Sequence, residues 1–153
     1  MWTERGLPDF NSATIVPGLS GKVDLRRDAW GIPHVRAASH LDAFTGLGFA
    51  HAQDRLWQLE THKRIGSGRL AEVFGDAAFE SDRFLRVLGV RRAAQRQWAN
   101  VKADARESLE AYAAGINAVT SQKAFSRPPE MLILGAPIEP WTLNKVPRAS
   151  AAA

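Results

Sequence analysis

The sequence predicts an α+β fold that is mainly helical and opens with a β-hairpin. Three observations predict it. Val23 and Leu25 alternate with Asp24 and Arg26, the period-2 signature of a half-buried strand, and a turn and a second extended run follow. From about residue 40 onward, apolar residues recur at three-and-four spacing in several successive segments. Those segments are punctuated by glycines, prolines and capping residues rather than by further alternating runs.

Residues 1–21 are rich in Gly, Pro, Ser and Asn and read as an irregular lead-in, with Ile15-Val16 as a brief strand. In the hairpin, Asp28-Ala29-Trp30-Gly31 supplies turn chemistry and Pro33-His34-Val35-Arg36 runs back. Pro33 has no N–H to give, so the second strand starts there or lies on an edge. Ser39 followed by Asp42 resembles a capping box and opens a helix at about His40. Leu41, Phe44, Leu47, Ala52, Leu56 and Leu59 approximate one buried face of that helix. Gly46 and Gly48 each weaken it by roughly 1 kcal/mol relative to Ala. They predict the close approach of another backbone, with a break in the helix as the alternative.

Gly66-Ser67-Gly68 stops or kinks this helix, and Leu70, Val73 and Phe74 form a short apolar patch ended by Gly75. A third segment, residues 81–101, places Phe84, Leu85, Leu88, Ala94 and Trp98 largely on one side and is interrupted by Gly89. A fourth helix has Asp104 and Glu107 as a capping pair and a stripe of Leu109, Tyr112, Ala113, Ile116 and Val119. Beyond Phe125, Arg127-Pro128-Pro129 cannot be helix interior, and Met131-Leu132-Ile133-Leu134 reads as a short strand or a buried turn ended by Gly135. Pro137 and Pro140 keep the backbone extended up to Trp141. Thr142 looks like the N-cap of another helix, whose pattern Pro147 breaks.

Composition narrows the function classes. The 153 residues suit one ordinary domain with enough apolar content for a core. The formal charge is +4, but the basic residues are scattered, and the densest groups are Arg26-Arg27 and Arg91-Arg92 with Arg96. A nucleic-acid binder would gather them on a stripe with stacking residues, so a solvated basic face is the reading. The chain has no cysteine, which excludes disulfide and thiolate chemistry. No apolar run approaches the ~20 residues of a membrane helix, so no membrane partner is expected. No signal peptide is visible, so the sequence as written reads as cytoplasmic, and as periplasmic or secreted if an upstream signal is missing.

Several constellations could carry chemistry. The four histidines, His34, His40, His51 and His62, include no pair spaced for zinc on one helix face. His51 and Asp54 lie one turn apart and could share a ligand, but a helix-surface or interhelical hydrogen bond is the plainer reading. Ser67 lacks the strand-turn-helix setting of a hydrolase nucleophile, and Gly66-Ser67-Gly68 lacks the Lys of a phosphate loop. Asp54-Arg55 and Glu60 read as an interhelical ion network, with acid/base catalysis as the sharper alternative. The five tryptophans are too evenly spread for a ligand site, and packing is the default. On residues alone no active site is complete.

A run of motifs adds to this. Pro17-Gly18-Leu19, Arg27-Asp28 with Gly31-Ile32-Pro33-His34, and Ala52-Gln53-Asp54-Arg55-Leu56 come first. Gly68-Arg69-Leu70-Ala71-Glu72, Asp82-Arg83 with Arg86, Glu110-Ala111-Tyr112 with Gly115-Ile116-Asn117, and Glu139-Pro140-Trp141-Thr142 follow. In this order they resemble the N-terminal part of the α chain of the penicillin acylase (penicillin amidase) family of N-terminal nucleophile hydrolases. The resemblance implies residues 22–142 as the α-chain region, a truncated or divergent tail over residues 143–153, and a place in an αββα sandwich. It implies a precursor cut into α and β chains, the β chain being the partner and its new N-terminal residue the nucleophile. Small acyl amides are the implied substrates: β-lactam side chains, N-acyl-homoserine lactones or acylated lipopeptides. The family's nucleophile, oxyanion donors and most calcium ligands belong to the β chain, and the α-chain pocket and calcium residues lie beyond the Glu139–Thr142 motif. No catalytic, substrate-binding or metal residue, and no cofactor, is therefore assigned to this chain, which is expected to be inactive alone. The alternative is a non-catalytic helical interaction module or an inactive remnant.

Overall fold

The computed structural model describes residue 10, residues 13–122 and residues 125–143. Strands β1 (Asp24–Arg27) and β2 (Pro33–Arg36) form the predicted antiparallel hairpin, with Leu25 opposite Val35 and Arg27 opposite Pro33. Asp28 fixes the connecting turn: its Oδ1 accepts from the amides of Trp30 and Ile32, both at 2.9 Å. Gly31 adopts the left-handed φ of 78° that lets the chain reverse. Ile15-Val16 forms no strand, and Ile15 is fully exposed with nothing to pair against.

Helix α1 (His40–Ser67) begins where expected, with Ser39 Oγ accepting the Asp42 amide at 3.0 Å. The reciprocal half of the capping box does not form. Asp42 turns its carboxylate to Ser20 instead, accepting from the Ser20 amide at 3.0 Å and hydroxyl at 2.6 Å. At its far end the Gly68 amide reaches Ile65 O at 2.9 Å and the Arg69 amide reaches Arg64 O at 2.8 Å, with Gly68 left-handed. This is the two-bond termination glycine permits after a helix. The helix does kink, but at Arg55 (φ −138°, ψ 24°) rather than at Gly46 or Gly48.

The expected single buried face of α1 is wrong. Of the six residues assigned to it, Ala52 and Leu56 are buried, whereas Leu41 is exposed and Phe44, Leu47 and Leu59 are half-buried. The buried set is Asp42, Thr45, Gly46, Gly48, Ala50, Ala52, Leu56, Glu60 and Arg64. Gly46 and Gly48 lie about 200° apart on a 3.6-residue helix, and each faces a different neighbour. A Cβ on Gly46 would meet Val35 and Val23 of the hairpin region at 2.7 and 2.8 Å. A Cβ on Gly48 would fall on the Tyr112 carbonyl, and one on Gly115 would fall on that of Thr45. The predicted close approach of backbones is therefore real, and α1 is the middle layer between the hairpin and helix α5 (Ala103–Thr120).

Between them, α2 (Ala71–Phe74) and a 3₁₀ turn (Gly75–Ala78) lead into α3 (Phe79–Leu88) and α4 (Val90–Trp98). Gly89 (φ 77°) splits the predicted third segment into these two helices. The expected stripe there is not buried: Phe84 and Leu88 are 65 and 62 % exposed. Helix α5 starts on Lys102 with no side-chain cap, so Asp104 and Glu107 are not a capping pair, and Leu109 is exposed. Ala113, Ile116 and Val119 of the expected stripe are buried. Residues 129–133 form a short helix, α6 (Pro129–Ile133), rather than the strand or buried turn expected over 131–134, because Pro129 at its first position has no N–H to satisfy and fits a helix start, and Leu132, Ile133 and Leu134 are exposed. Met131 from α6 and Ala136 beyond it complete the core with Ala52, Leu56, Ile116 and Val119. The helix expected after Thr142 lies outside the described residues.

Candidate functional site

Asp28, Asp42, Asp54, Glu60, Glu72, Asp82 and Glu139 are tied into joints that fasten one segment of the chain to another. Arg27 at the end of β1 grips Asp54 on α1 with both terminal nitrogens at 2.8 Å, and also donates to Gln53 Oε1 at 3.3 Å. The two-point geometry fixes the hairpin against the helix. Asp28 meets His34 Nε2 at 3.2 Å across the hairpin, and this bond together with the two turn amides holds its carboxyl below the usual carboxylate range. Asp42 is held low in the same way, first by the Ser20 hydroxyl and then by the Ser20 amide.

The deepest joint surrounds Glu60, which has no exposure. Its Oε1 accepts from Lys63 Nζ at 2.6 Å and from the Trp141 indole at 2.9 Å, and its Oε2 accepts from Arg64 Nη1 at 2.6 Å. Arg64, itself 1 % exposed, donates onward from Nη2 to the Pro137 carbonyl at 2.8 Å. Asn117 on α5 closes the ring by pairing with both backbone groups of Trp141, at 2.8 and 2.9 Å. The extended segment 137–141 is thus strapped to α1 and α5. Glu139 binds Arg69 with both oxygens, at 2.6 and 3.0 Å, and Arg69 binds Glu72 as well. Chiefly through the Arg69 bond, the Glu139 carboxyl lies below its ordinary range, and Arg69 is raised above its own.

A second buried carboxylate, Asp82 on α3, accepts from the amides of Leu70 and Ala71 at 2.8 and 2.7 Å. It caps α2, which has no cap of its own, and Arg86 one turn further donates Nε to the Gly68 carbonyl at 2.6 Å. Neither Asp82 nor the Ser20–Asp42 pair was marked by any periodicity or local spacing, since each binds a segment 11 or more residues away.

The sequence-nominated residues separate accordingly. His51 is bonded to Tyr112 on α5 at 2.9 Å and Asp54 to Arg27, so the two do not share a ligand. Glu60 is in a network, as expected, but Asp54 belongs to a different one, and Arg55 is exposed at the kink. Ser67 donates to Lys63 O at 2.7 Å, and Gly68 behind it ends the helix as expected. Trp57 and Trp141 pack against the core, Trp98 lies under Arg106 at 5.3 Å, and Trp30 is 85 % exposed; Trp2 lies outside the described residues. The Ser20 hydroxyl is bonded to the Asp42 carboxylate, and a carboxylate held below its usual range is a poorer general base. Among the described residues no three His, Asp or Glu side chains gather as metal ligands, and no helix is long and apolar enough to cross a membrane. These bonds hold the hairpin, the helices and the 137–141 segment against one another.

Comparison with known proteins agrees with that arrangement. The sequence profile of the penicillin amidase family matches residues 22–152. The chain is 43 % identical over 138 residues to penicillin acylase 2 proenzyme of Pseudomonas sp. (strain SE83), covering 90 % of this chain and 18 % of that protein. It is 35 % identical over 135 residues to the acyl-homoserine lactone acylase QuiP of Pseudomonas aeruginosa, covering 88 % of this chain and 16 % of that protein. Among solved structures, the thermostable penicillin G acylase from Alcaligenes faecalis superposes with a TM-score of 0.70 at 33 % identity, over 80 % of this chain and 67 % of that one. The chain therefore spans less than a fifth of the length of the first two relatives. Its helical body and N-terminal hairpin are the α+β arrangement of this part of an N-terminal nucleophile hydrolase. By its sequence profile and its relatives alike, the chain belongs to the penicillin amidase family.

Proposed function

We propose that this chain is the opening part of the α portion of an acylase that hydrolyses linear amides. Its task in that enzyme is to frame a nucleophile carried on a β chain of the same precursor. The observation that carries the reading is where the polar family motifs go. Arg27, Asp28, Asp54, Arg69, Glu72, Asp82, Arg86, Asn117, Glu139 and Trp141 are all engaged in joints within the chain. None is left poised as nucleophile, base or oxyanion donor. The relatives' names support β-lactam side chains or N-acyl-homoserine lactones as the amides. In this reading the β-chain residue attacks the amide carbonyl while its own α-amine takes the proton, the amine product leaves, and water releases the acid. A calcium ion wants six to eight oxygen ligands. Asp54 and Glu139 are held by guanidinium groups and Asp82 by backbone amides, and in this reading the ligands of a structural calcium lie outside this chain.

The test is to express the chain with and without the rest of the α portion and the β region of a close relative, and to assay release of phenylacetate from a phenylacetyl amide and of acyl chains from N-acyl-homoserine lactones. The expected result is silence from the chain alone and activity after association. Hydrolysis by the isolated chain, or a folded but inactive association product, would overturn the proposal.

A further inference from the structure

Arg91-Arg92, one of the two densest basic groups in the sequence, enters a hollow that the scaffold reading does not use. The hollow measures about 350 Å³ and lies where the C-terminal ends of α1 and α3 meet α4. Ser67, Arg69, Glu72, Arg86, Arg91 and Arg92 line it. Arg69 is neutralised by Glu72 and Glu139. Among the described residues no carboxylate pairs with Arg86, Arg91 or Arg92. The plain explanation is that they complement the exposed carbonyls of two helix ends. That explanation uses little of them: Arg86 donates only Nε, to Gly68 O at 2.6 Å, and Arg92 makes one long contact, to Arg86 O at 3.5 Å. Each guanidinium carries five N–H donors in a planar fork. Arg91, half-buried, makes no hydrogen bond or ion pair among the described residues.

Crowding of like charge is evident there. Burial first, and then the positive charges of Arg69 and Arg86, disfavour the charged form of Arg91, and the carboxylates of Glu139 and Glu72, both already paired with Arg69, offset this only in part. Arginine does not relieve such crowding by losing its proton. Gly68 and Gly89 shape the cradle, since a Cβ on Gly68 would meet Arg86 Cγ at 2.8 Å and one on Gly89 would meet Arg92 Nη2 at 3.2 Å. The two left-handed corners let both side chains lie back across the helix ends.

The geometry points to a binding site for a small oxyanion, of phosphate or carboxylate type, held by Arg86, Arg91 and Arg92. A cluster of forked guanidinium groups is the arrangement that recognises such anions. The experiment is to titrate the chain with inorganic phosphate, sulfate and acetate, each against chloride at equal ionic strength, following the arginine Nε–H signals by NMR. Saturable shifts are expected on Arg86, Arg91 and Arg92. Arg91→Gln should weaken binding about tenfold, the weight of one charge-assisted hydrogen bond. Arg96→Gln, one charge fewer on the same helix but outside the hollow, should leave it unchanged. Circular dichroism serves to verify that both variants stay folded, which Arg91's lack of bonds predicts. Preference for phosphate and sulfate identifies a phosphate-type ligand, and preference for acetate a carboxylate. Absence of saturation with all three anions, or equal weakening by the two substitutions, would overturn the site.

Discussion

Replacing Gly48 by Ala should destabilise the chain, although Ala is the better helix former. The new Cβ would overlap the Tyr112 carbonyl oxygen and lie 2.9 Å from its carbon and 3.2 Å from Tyr112 Cα. All three are backbone atoms of α5, so no rotamer change relieves the clash. Carbon atoms at rest prefer about 3.5–4.0 Å, so α1 and α5 must part by roughly an ångström. A gap of that size forfeits about a quarter to a half of the dispersion well along the contact. Overpacking of this kind costs about 1–3 kcal/mol or more, against about 1 kcal/mol regained from helix propensity. The expected net loss is therefore about 1 kcal/mol, rising to about 2 kcal/mol at the upper end of that overpacking cost. Gly66→Ala in the same helix is the control, because a Cβ there meets nothing within 4 Å. It should stabilise by roughly 0.4–1 kcal/mol. Urea unfolding followed by circular dichroism should move the two midpoints in opposite directions at constant slope. Gly115→Ala should mimic Gly48→Ala, and the double variant should cost less than the sum, since one separation of the helices accommodates both. A Gly48→Ala midpoint at or above that of the unchanged chain would refute the close-approach argument.

Truncating Glu60 to Ala leaves Arg64 buried without its carboxylate and should cost about 3–5 kcal/mol, whereas Glu60→Gln should cost less; the same unfolding assay measures both. Asp82→Ala strips the cap from α2 and should cost about 0.5–2 kcal/mol, with amide exchange accelerating first at Leu70 and Ala71. Asp28, Asp42 and Glu139 are all depressed in the folded chain, so their stabilisation is complete above the unfolded carboxylate range. It is lost as pH falls through the folded values. Thermal midpoints should therefore drop on acidification below about pH 4, and Glu139→Gln should make that drop shallower.

The hairpin and the start of α1 were legible because their signals are local: alternation, a turn aspartate and an N-cap serine within a few residues. The buried face of α1 was not. A helix held between two layers is covered on opposite sides, and its contacts are made by glycine, alanine and threonine, so no single apolar stripe exists to be read. The opposite failure occurred in α3 and α4, where a good apolar stripe is present but among the described residues nothing covers Phe84 or Leu88. At residues 131–134, a four-residue apolar run reads as strand or buried turn, and the helix that forms there starts upstream, on Pro129 with its missing N–H. For the candidate site, Glu60 could be nominated as an ion-network residue, but the partners of Asp54, Asp42 and Asp82 lie 27, 22 and 12 residues away. Spacing along one helix carries no information about such pairings.

The strap around Trp141 also sets an order of events during synthesis. Glu60 finds its indole donor 81 residues further along, and Arg64 its carbonyl acceptor 73 residues further along. At about 5–20 residues per second, roughly 4–16 s pass between translation of Glu60 and translation of Trp141. Through that interval α1 can coil but cannot close, because sealing it would bury two charged side chains with part of their bonding unmade. The ribosome thus delivers the latch well after the residues it closes on, and α1 stays open to water on that side until it arrives.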